Sequence, residues 1–227
     1  MNHKHILPTL ALALMAVAPV QAQSNYDALR DSLSKAADAL AYHPDSIDLR
    51  LRKAAWNVEL EQWQYALAEY DKVLAQDSRN VAALFYRAFV NQQLHRYNFA
   101  RIDYEQLLQI IPGNFEARLG LALLNQKDKH HTKALDGINQ LVAAHPDSAI
   151  AWAARAGIEE ELNMLELAEY DYGKALELNP GNADYLLARA DIRIRLTRYD
   201  KARQDLDALV RLGTPRRALK KWYDKCK

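Results

Sequence analysis

The sequence predicts an all-α chain of five stacked, antiparallel helix pairs, a solenoid in which no single core gathers the apolar residues. Two alanine series carry this reading. Ala54, Ala88, Ala122, Ala156 and Ala190 stand 34 residues apart, and so do Ala66, Ala100, Ala134, Ala168 and Ala202. Large apolar residues recur around both series at helical spacing. Two interleaved series at one period mean five copies of one helical hairpin, each burying its apolar face against its neighbours. The composition, 50% hydrophobic and 26% charged, is that of an ordinary folded protein.

Residues 1–22 read as a secretory signal peptide. Lys4 lies near the start, Ile6 to Ala18 is largely apolar, and Val20-Gln21-Ala22 places small residues before a cut after Ala22. The apolar run is short for a bilayer span, so an uncleaved anchor is the weaker reading. With no cysteine near the cut, a lipoprotein anchor is not available. Of 30 basic and 29 acidic residues the cut removes only Lys4, which leaves the mature chain neutral. Neutrality argues against nucleic acid as a partner. Residues 23–46 then hold a lone capping helix from Tyr26 to Tyr42, with Leu33, Ala36, Ala39 and Leu40 apolar.

The repeats are phased at 47–80, 81–114, 115–148, 149–182 and 183–214, each with a helix A, a turn and a helix B. The first alanine series sits in the middle of helix A, and the second opens helix B. Methyl side chains there let helix axes approach to the near end of the ~8–10 Å packing range. Leu60, Leu94, Leu162 and Leu196 end helix A; Trp63, Tyr97, Leu165 and Tyr199 close the turn; Tyr70, Tyr104 and Tyr172 lie in helix B. Between repeats, His43-Pro44-Asp45-Ser46 returns as His145-Pro146-Asp147-Ser148, and Pro112-Gly113-Asn114 as Pro180-Gly181-Asn182. Proline ends helix B, glycine can take the left-handed turn, and Asp, Ser or Asn can cap the next helix A. Residues 215–227 read as a basic capping helix whose Leu219 and Trp222 face the last repeat. Its bases can serve as a solvated end or touch anionic lipid or cell-wall polymer.

A base precedes each helix-A alanine and an acid follows each helix-B alanine in four repeats. The couples are Lys53 with Glu69, Arg87 with Asp103, Arg155 with Asp171 and Arg189 with Asp205. The third repeat has Leu121 and Gly137 instead, so both charges vanish together. The paired loss predicts structural salt bridges from helix A to helix B. Gly120, Gly137, Asp128 and His130-His131 mark the same repeat as a soft point, or as a place where something packs close to the backbone. Asn57, Asn91 and Asn125 form a further row, expected to tie neighbouring helices.

From Ile47 to Thr214 the chain resembles the tetratricopeptide repeat family in its small crossing residues, turn aromatics, helix-B tyrosines and terminal prolines. The resemblance implies a right-handed superhelical array with helices A lining a concave groove. It also implies a protein or peptide ligand and no catalysis. By that phase the groove carries Leu51, Arg52, Ala55 and Glu59; Phe85, Tyr86, Phe89 and Gln93; Leu119, Leu123, Gln126 and Lys127; Glu160 from the fourth repeat; and Leu187 and Asp191 from the fifth. Leu51, Phe85, Phe89, Leu119 and Leu123 would form one apolar patch fit for an apolar peptide or helix, unless the N-terminal helix covers it. Some members of that family clamp a terminal carboxylate with lysines and asparagines. Here the matching places hold Leu51, Ala55, Tyr86 and Phe89, which argues against such recognition.

No cofactor or metal is expected. His130 and His131 are adjacent and diverge on a helix, and neither a phosphate loop nor a nucleophile with an evident base is present. The expected function is a non-catalytic scaffold or adaptor of the bacterial envelope, in the periplasm or secreted. The alternative is a self-assembling envelope subunit joined through the solenoid ends or through Cys226, the single cysteine, which reads as an exposed thiol. N-terminal sequencing of the chain recovered from the periplasm should begin at Gln23; a chain that retains Met1 would contradict the signal peptide.

Overall fold

The computed structural model describes residues 18–226, and all regular elements among them are helical. They are α1 (Ala18–Tyr42), α2 (Ile47–Glu59), α3 (Trp63–Gln76), α4 (Val81–Gln93), α5 (Tyr97–Ile110) and α6 (Phe115–Lys127). Then follow α7 (His131–Ala144), α8 (Ala149–Glu161), α9 (Leu165–Leu178), α10 (Ala183–Arg195), α11 (Tyr199–Arg211) and α12 (Lys220–Lys225). Residues 1–17 of the expected signal peptide lie outside the described residues. The helix expected from Tyr26 begins earlier, at Ala18, and runs through the expected cut. The expected C-terminal helix is divided, a 3-10 turn at Arg216–Leu219 leading into α12. Two compact units, Ala18–Gly137 and Ile138–Lys227, divide within α7.

Helix ends recur as regularly as the alanines. Ser46, Asn80, Asn114, Ser148 and Asn182 each cap a helix A, their side-chain oxygens accepting from backbone N–H groups at 2.7–3.3 Å. Such caps are each worth about 1 kcal/mol. After each helix A the chain turns through a left-handed residue that is not glycine: Glu61, His95, Lys129, Asn163 and Thr197, with φ between 54° and 61°. The following N–H reaches back five residues, Gln62 to Asn57 at 2.7 Å and Arg96 to Asn91 at 2.8 Å, which closes a Schellman turn. No glycine marks these turns, so their handedness is invisible in the sequence.

In the Ala18–Gly137 unit, α2 pairs with α3 and α4 with α5, and α3 and α5 pack on the helices that follow them. Ala54, Ala66, Ala88 and Ala100 are fully buried at the crossings, with Tyr70, Val73, Leu84, Tyr104 and Leu107 around them. In the Ile138–Lys227 unit, α8 pairs with α9 and α10 with α11, over Ala156, Ala168, Ala190 and Ala202. Gly120 and Gly137 have different reasons to be small. A Cβ on Gly120 would lie 2.7 Å from the Tyr104 ring, which is buried and hydrogen-bonded to Gln92 Oε1 at 3.4 Å. A Cβ on Gly137 would meet only Ala122, at an ordinary 3.6 Å.

A polar ladder runs through the hairpins. Lys53 Nζ lies 2.9 Å from Glu69, Arg87 Nη2 2.6 Å from Asp103, Arg155 Nε 2.5 Å from Asp171 and Arg189 Nη2 2.7 Å from Asp205. Each arginine holds its aspartate by two nitrogens, the bidentate geometry that guanidinium favours. In the third repeat Leu121 packs against apolar neighbours where the base would be. One rung inward, Asn57, Asn91, Asn125, Glu159 and Arg193 hold one position of the repeat. Asn91 donates to Asp103 at 3.4 Å, and Arg193 reaches both Asp205 at 2.7 Å and Glu169 at 2.8 Å. Asn125 accepts from Arg101, which also binds Asp128 at 2.5 Å and fixes the charged end of α6 where other repeats have leucine. Asn57 leaves its amide nitrogen unpartnered, and Glu159 is the other exception. It is buried beside Asp171, its Oε2 has no partner, and Arg155 is 3.8 Å from its other oxygen.

Burial, reinforced by the Asp171 charge and only partly offset by Arg155, pushes the Glu159 carboxyl up to about 7. A folded-state value above the unfolded one means that the native chain holds a proton the unfolded chain has released. This contribution is intact below the unfolded value near 4.5 and is lost as pH rises to about 7. Glu159→Gln keeps the shape and supplies a permanent donor. The variant should unfold at higher temperature than the wild type at pH 8, with the two curves converging at pH 5; an equal gap at both values contradicts a buried, proton-holding carboxyl. For the glycines, thermal unfolding should separate two like substitutions. Gly137→Ala should gain about 0.5–1 kcal/mol, and Gly120→Ala should lose about 1–3 kcal/mol to overpacking.

Candidate functional site

Within the Ala18–Gly137 unit the three helices A, α2, α4 and α6, are successive neighbours. Their faces away from helices B carry the expected apolar residues, and packing holds each one in place. Phe89 meets Trp63 edge to face at 6.1 Å, and Phe85 meets Tyr104 in the same way at 6.0 Å. Tyr86 stacks on Tyr70 at 6.1 Å with planes 12° apart, and touches Phe85 edge-on at 5.3 Å. Leu51, Phe85 and Phe89 pack against the core and remain half-buried, and Leu119 and Leu123 are half-buried as well. Tyr86 is the most open of these side chains, 46% exposed. The surface therefore joins three rings of α4, whose inner edges are core and whose outer edges meet solvent, to half-buried leucines of α2 and α6.

Polar residues rim this surface. Arg52 is exposed and tied to Asp48 at 2.8 Å, one turn back on α2. Ala55, Glu59 and Lys127 are exposed, and Gln93 and Gln126 half-buried. α1 packs against α2, as a preceding helix B would. Among the described residues it makes no comparable contact with α4 or α6, so it does not lie across the rings.

In the Ile138–Lys227 unit the expected groove residues are differently placed. Glu160 is half-buried and paired with Arg195 at 2.8 Å; burial raises its carboxyl while Arg195 opposes the shift. Asp191 lies 3.9 Å from Lys225. Leu187, expected to line the groove, is 4% exposed and belongs to the buried cluster of Leu219 and Cys226. The reason is the cap: α12 packs on α10 and covers the position that Leu51 and Phe85 leave open elsewhere. Cys226, expected to be an exposed thiol, is 1% exposed in that cluster, and burial raises its thiol. A buried thiol offers no partner chain a disulfide.

The ladder couples face across their own hairpins, with Arg87 also reaching Asp71 on α3 and Arg155 reaching Asn139 on α7, so their donors are spent away from the apolar surface. A cavity of about 260 Å³ among Asp71, Leu74, Ser78, Leu84, Arg87 and Gln106 lies beside α3 to α5 and shares no residue with the rings. Among the described residues no cluster of His, Cys, Asp and Glu could hold a metal ion, and no helix is long and apolar enough to cross a membrane. Sequence phase could not show the mutual stacking of these rings. It could not anticipate the burial of Leu187, because the path of the cap is not periodic.

No protein-family model and no curated protein matches this chain. Solved structures do. A tetratricopeptide repeat protein from Parabacteroides merdae ATCC 43184 is 22% identical over 91% of this chain and 80% of its own, with a TM-score of 0.72. PilW, a widely conserved type IV pilus biogenesis factor, is 20% identical over 83% of this chain and 89% of its own, with a TM-score of 0.72. YrrB, a repeat protein with an unusual peptide-binding site, is 20% identical over 78% and 92%, with a TM-score of 0.56. Identities this low speak to architecture alone, and on that ground the chain has the tetratricopeptide repeat fold, an all-α solenoid of antiparallel helix pairs.

Proposed function

We propose that this chain is a non-catalytic scaffold or adaptor, exported to the bacterial envelope, that holds a protein or peptide against helices A of its first three repeats. The ring surface of Leu51, Phe85, Tyr86, Phe89, Leu119 and Leu123 carries the reading. Its inner edges are packed, so the outer edges are presented without further ordering, and preorganised aromatic surface binds at low entropic cost. The polar rim of Arg52, Glu59, Gln93, Gln126 and Lys127 suits an interface with an apolar centre. A peptide-binding site is named for YrrB, and pilus biogenesis for PilW; both suit a chain with this fold that works by holding partners. Export rests on the first 22 residues of the sequence, and the choice between periplasm and secretion follows the partner.

A photo-crosslinking amino acid at Tyr86, with one at Tyr65 on α3 as control, tests the surface. In cells, position 86 should yield one dominant adduct that position 65 does not. Substituting Leu123→Gln, at the edge of the ring cluster, should reduce that adduct at least several-fold without lowering the melting temperature by more than a few degrees. Identical adducts from both positions, or an adduct insensitive to Leu123, would overturn the assignment. An adduct with a second copy of the chain would favour the self-assembling subunit instead.

A further inference from the structure

We infer that the C-terminal end of the chain is a docking surface for a membrane rich in anionic headgroups. The cap has two sides with opposite chemistry. Leu219 and Cys226 are buried against α10 and α11, and Trp222 and Tyr223 pack half-buried beside them. Fixing those four side chains inward turns Arg216, Arg217, Lys220, Lys221 and Lys225 outward, where all five are exposed. Exposed Arg211, at the end of α11, joins them. In a chain with 30 bases and 29 acids overall, these six cations pair with three carboxylates among the described residues.

Those three carboxylates hold little. Asp207 is 3.5 Å from Arg216 and is already engaged by the Tyr223 hydroxyl at 2.5 Å; Asp224 is 2.8 Å from Lys220; Asp191 is 3.9 Å from Lys225. Exposed pairs of this kind contribute at most about 1 kcal/mol and exchange readily for other anions. Arg211 and Arg217 have no carboxylate partner among the described residues, and Lys221 lies over the Trp222 ring at 5.6 Å.

The spread of the charge selects the partner. The cations stand on a helix end, a 3-10 turn and a short helix, and the successive pairs Arg216-Arg217 and Lys220-Lys221 diverge around their axes by helical geometry, which does not favour one cleft gripping a single phosphate or peptide carboxylate. A lipid surface needs no convergence, because each headgroup meets one cation and each cation near the surface adds about 1 kcal/mol. Between the bases Leu212 is 52% exposed, an apolar side chain placed to enter the headgroup layer. An anionic peptide would gain nothing from Leu212.

Co-sedimentation of the full chain with vesicles of equal parts phosphatidylglycerol and phosphatidylcholine, against phosphatidylcholine alone, tests this. The apolar N-terminal run is common to every variant, so differences report the cap. The wild type should bind the anionic vesicles more tightly and release as salt rises. Arg217→Gln with Lys221→Gln should weaken anionic binding about thirty-fold, two cations at about 1 kcal/mol each. Both residues are exposed and off the core, and an unchanged melting curve will confirm that the fold persists; Arg211→Gln alone, expected to weaken binding about five-fold, covers the case in which the double variant misfolds. Equal binding to both vesicle types overturns the inference, as does anionic binding unaffected by these substitutions. Release by inorganic phosphate beyond that by chloride at equal ionic strength would mark a free-anion site, and retention on polyglutamate without vesicle binding a protein ligand; either result overturns it.

Discussion

Each helix pair closes over two alanine methyl groups, and this closeness constrains every other position. Two helix axes can reach the near end of their packing range only where the crossing residues are small, and the ten alanines of the two series are at most 1% exposed. Once two helices are that near, a base one residue before the first alanine and an acid three residues after the second are forced into reach. The ladder is thus a consequence of the crossing. Long charged residues in those two places would be exposed in a wider hairpin; in this one they must pair, or be replaced together, as at Leu121 and Gly137.

The ladder also shows how little of the polar interior the repeat prescribes. Five residues share one inward position and satisfy it in different ways. Asn91 donates to an aspartate, Asn125 accepts from an arginine of the preceding helix, and Arg193 bridges two acids. Asn57 leaves its amide nitrogen unpartnered, and Glu159 leaves an oxygen so. A buried group without a partner lowers stability, by roughly 1–3 kcal/mol, so these two rungs are the weak points of their hairpins. Weakness in the array therefore comes from particular side chains. Glycine content is a poor guide to it, since Gly120 is filled by a tyrosine ring while Gly137 is merely tolerated.

Much of this was legible in the sequence because the period assigns each residue a place on its helix. Helix A and helix B boundaries, the Ser and Asn caps and the sixteen-residue spacing of base to acid can all be read from it. What stayed hidden is not periodic or not local. The left-handed turns are occupied by Glu, His, Lys, Asn and Thr, so no glycine announces them. The stacking of Tyr86 on Tyr70 depends on rotamers, which a pattern does not specify. The burial of Leu187 and Cys226 depends on where the last dozen residues fold back, and no second copy of that segment exists to reveal it.

The same division separates architecture from individuality. Residues that obey the period are core, cap or ladder, and they would be much the same in any chain with this fold. Residues that break it give this chain its particular surface chemistry. The apolar side chains on α2, α4 and α6 occupy positions where the fourth repeat has Ala153 and Gly157, so the apolar surface is confined to the first three repeats. After the fifth repeat the chain forms two short turns, and in hiding Leu219 and Cys226 they leave their cations facing outward. Burial on one side of an element determines where its charges stand on the other.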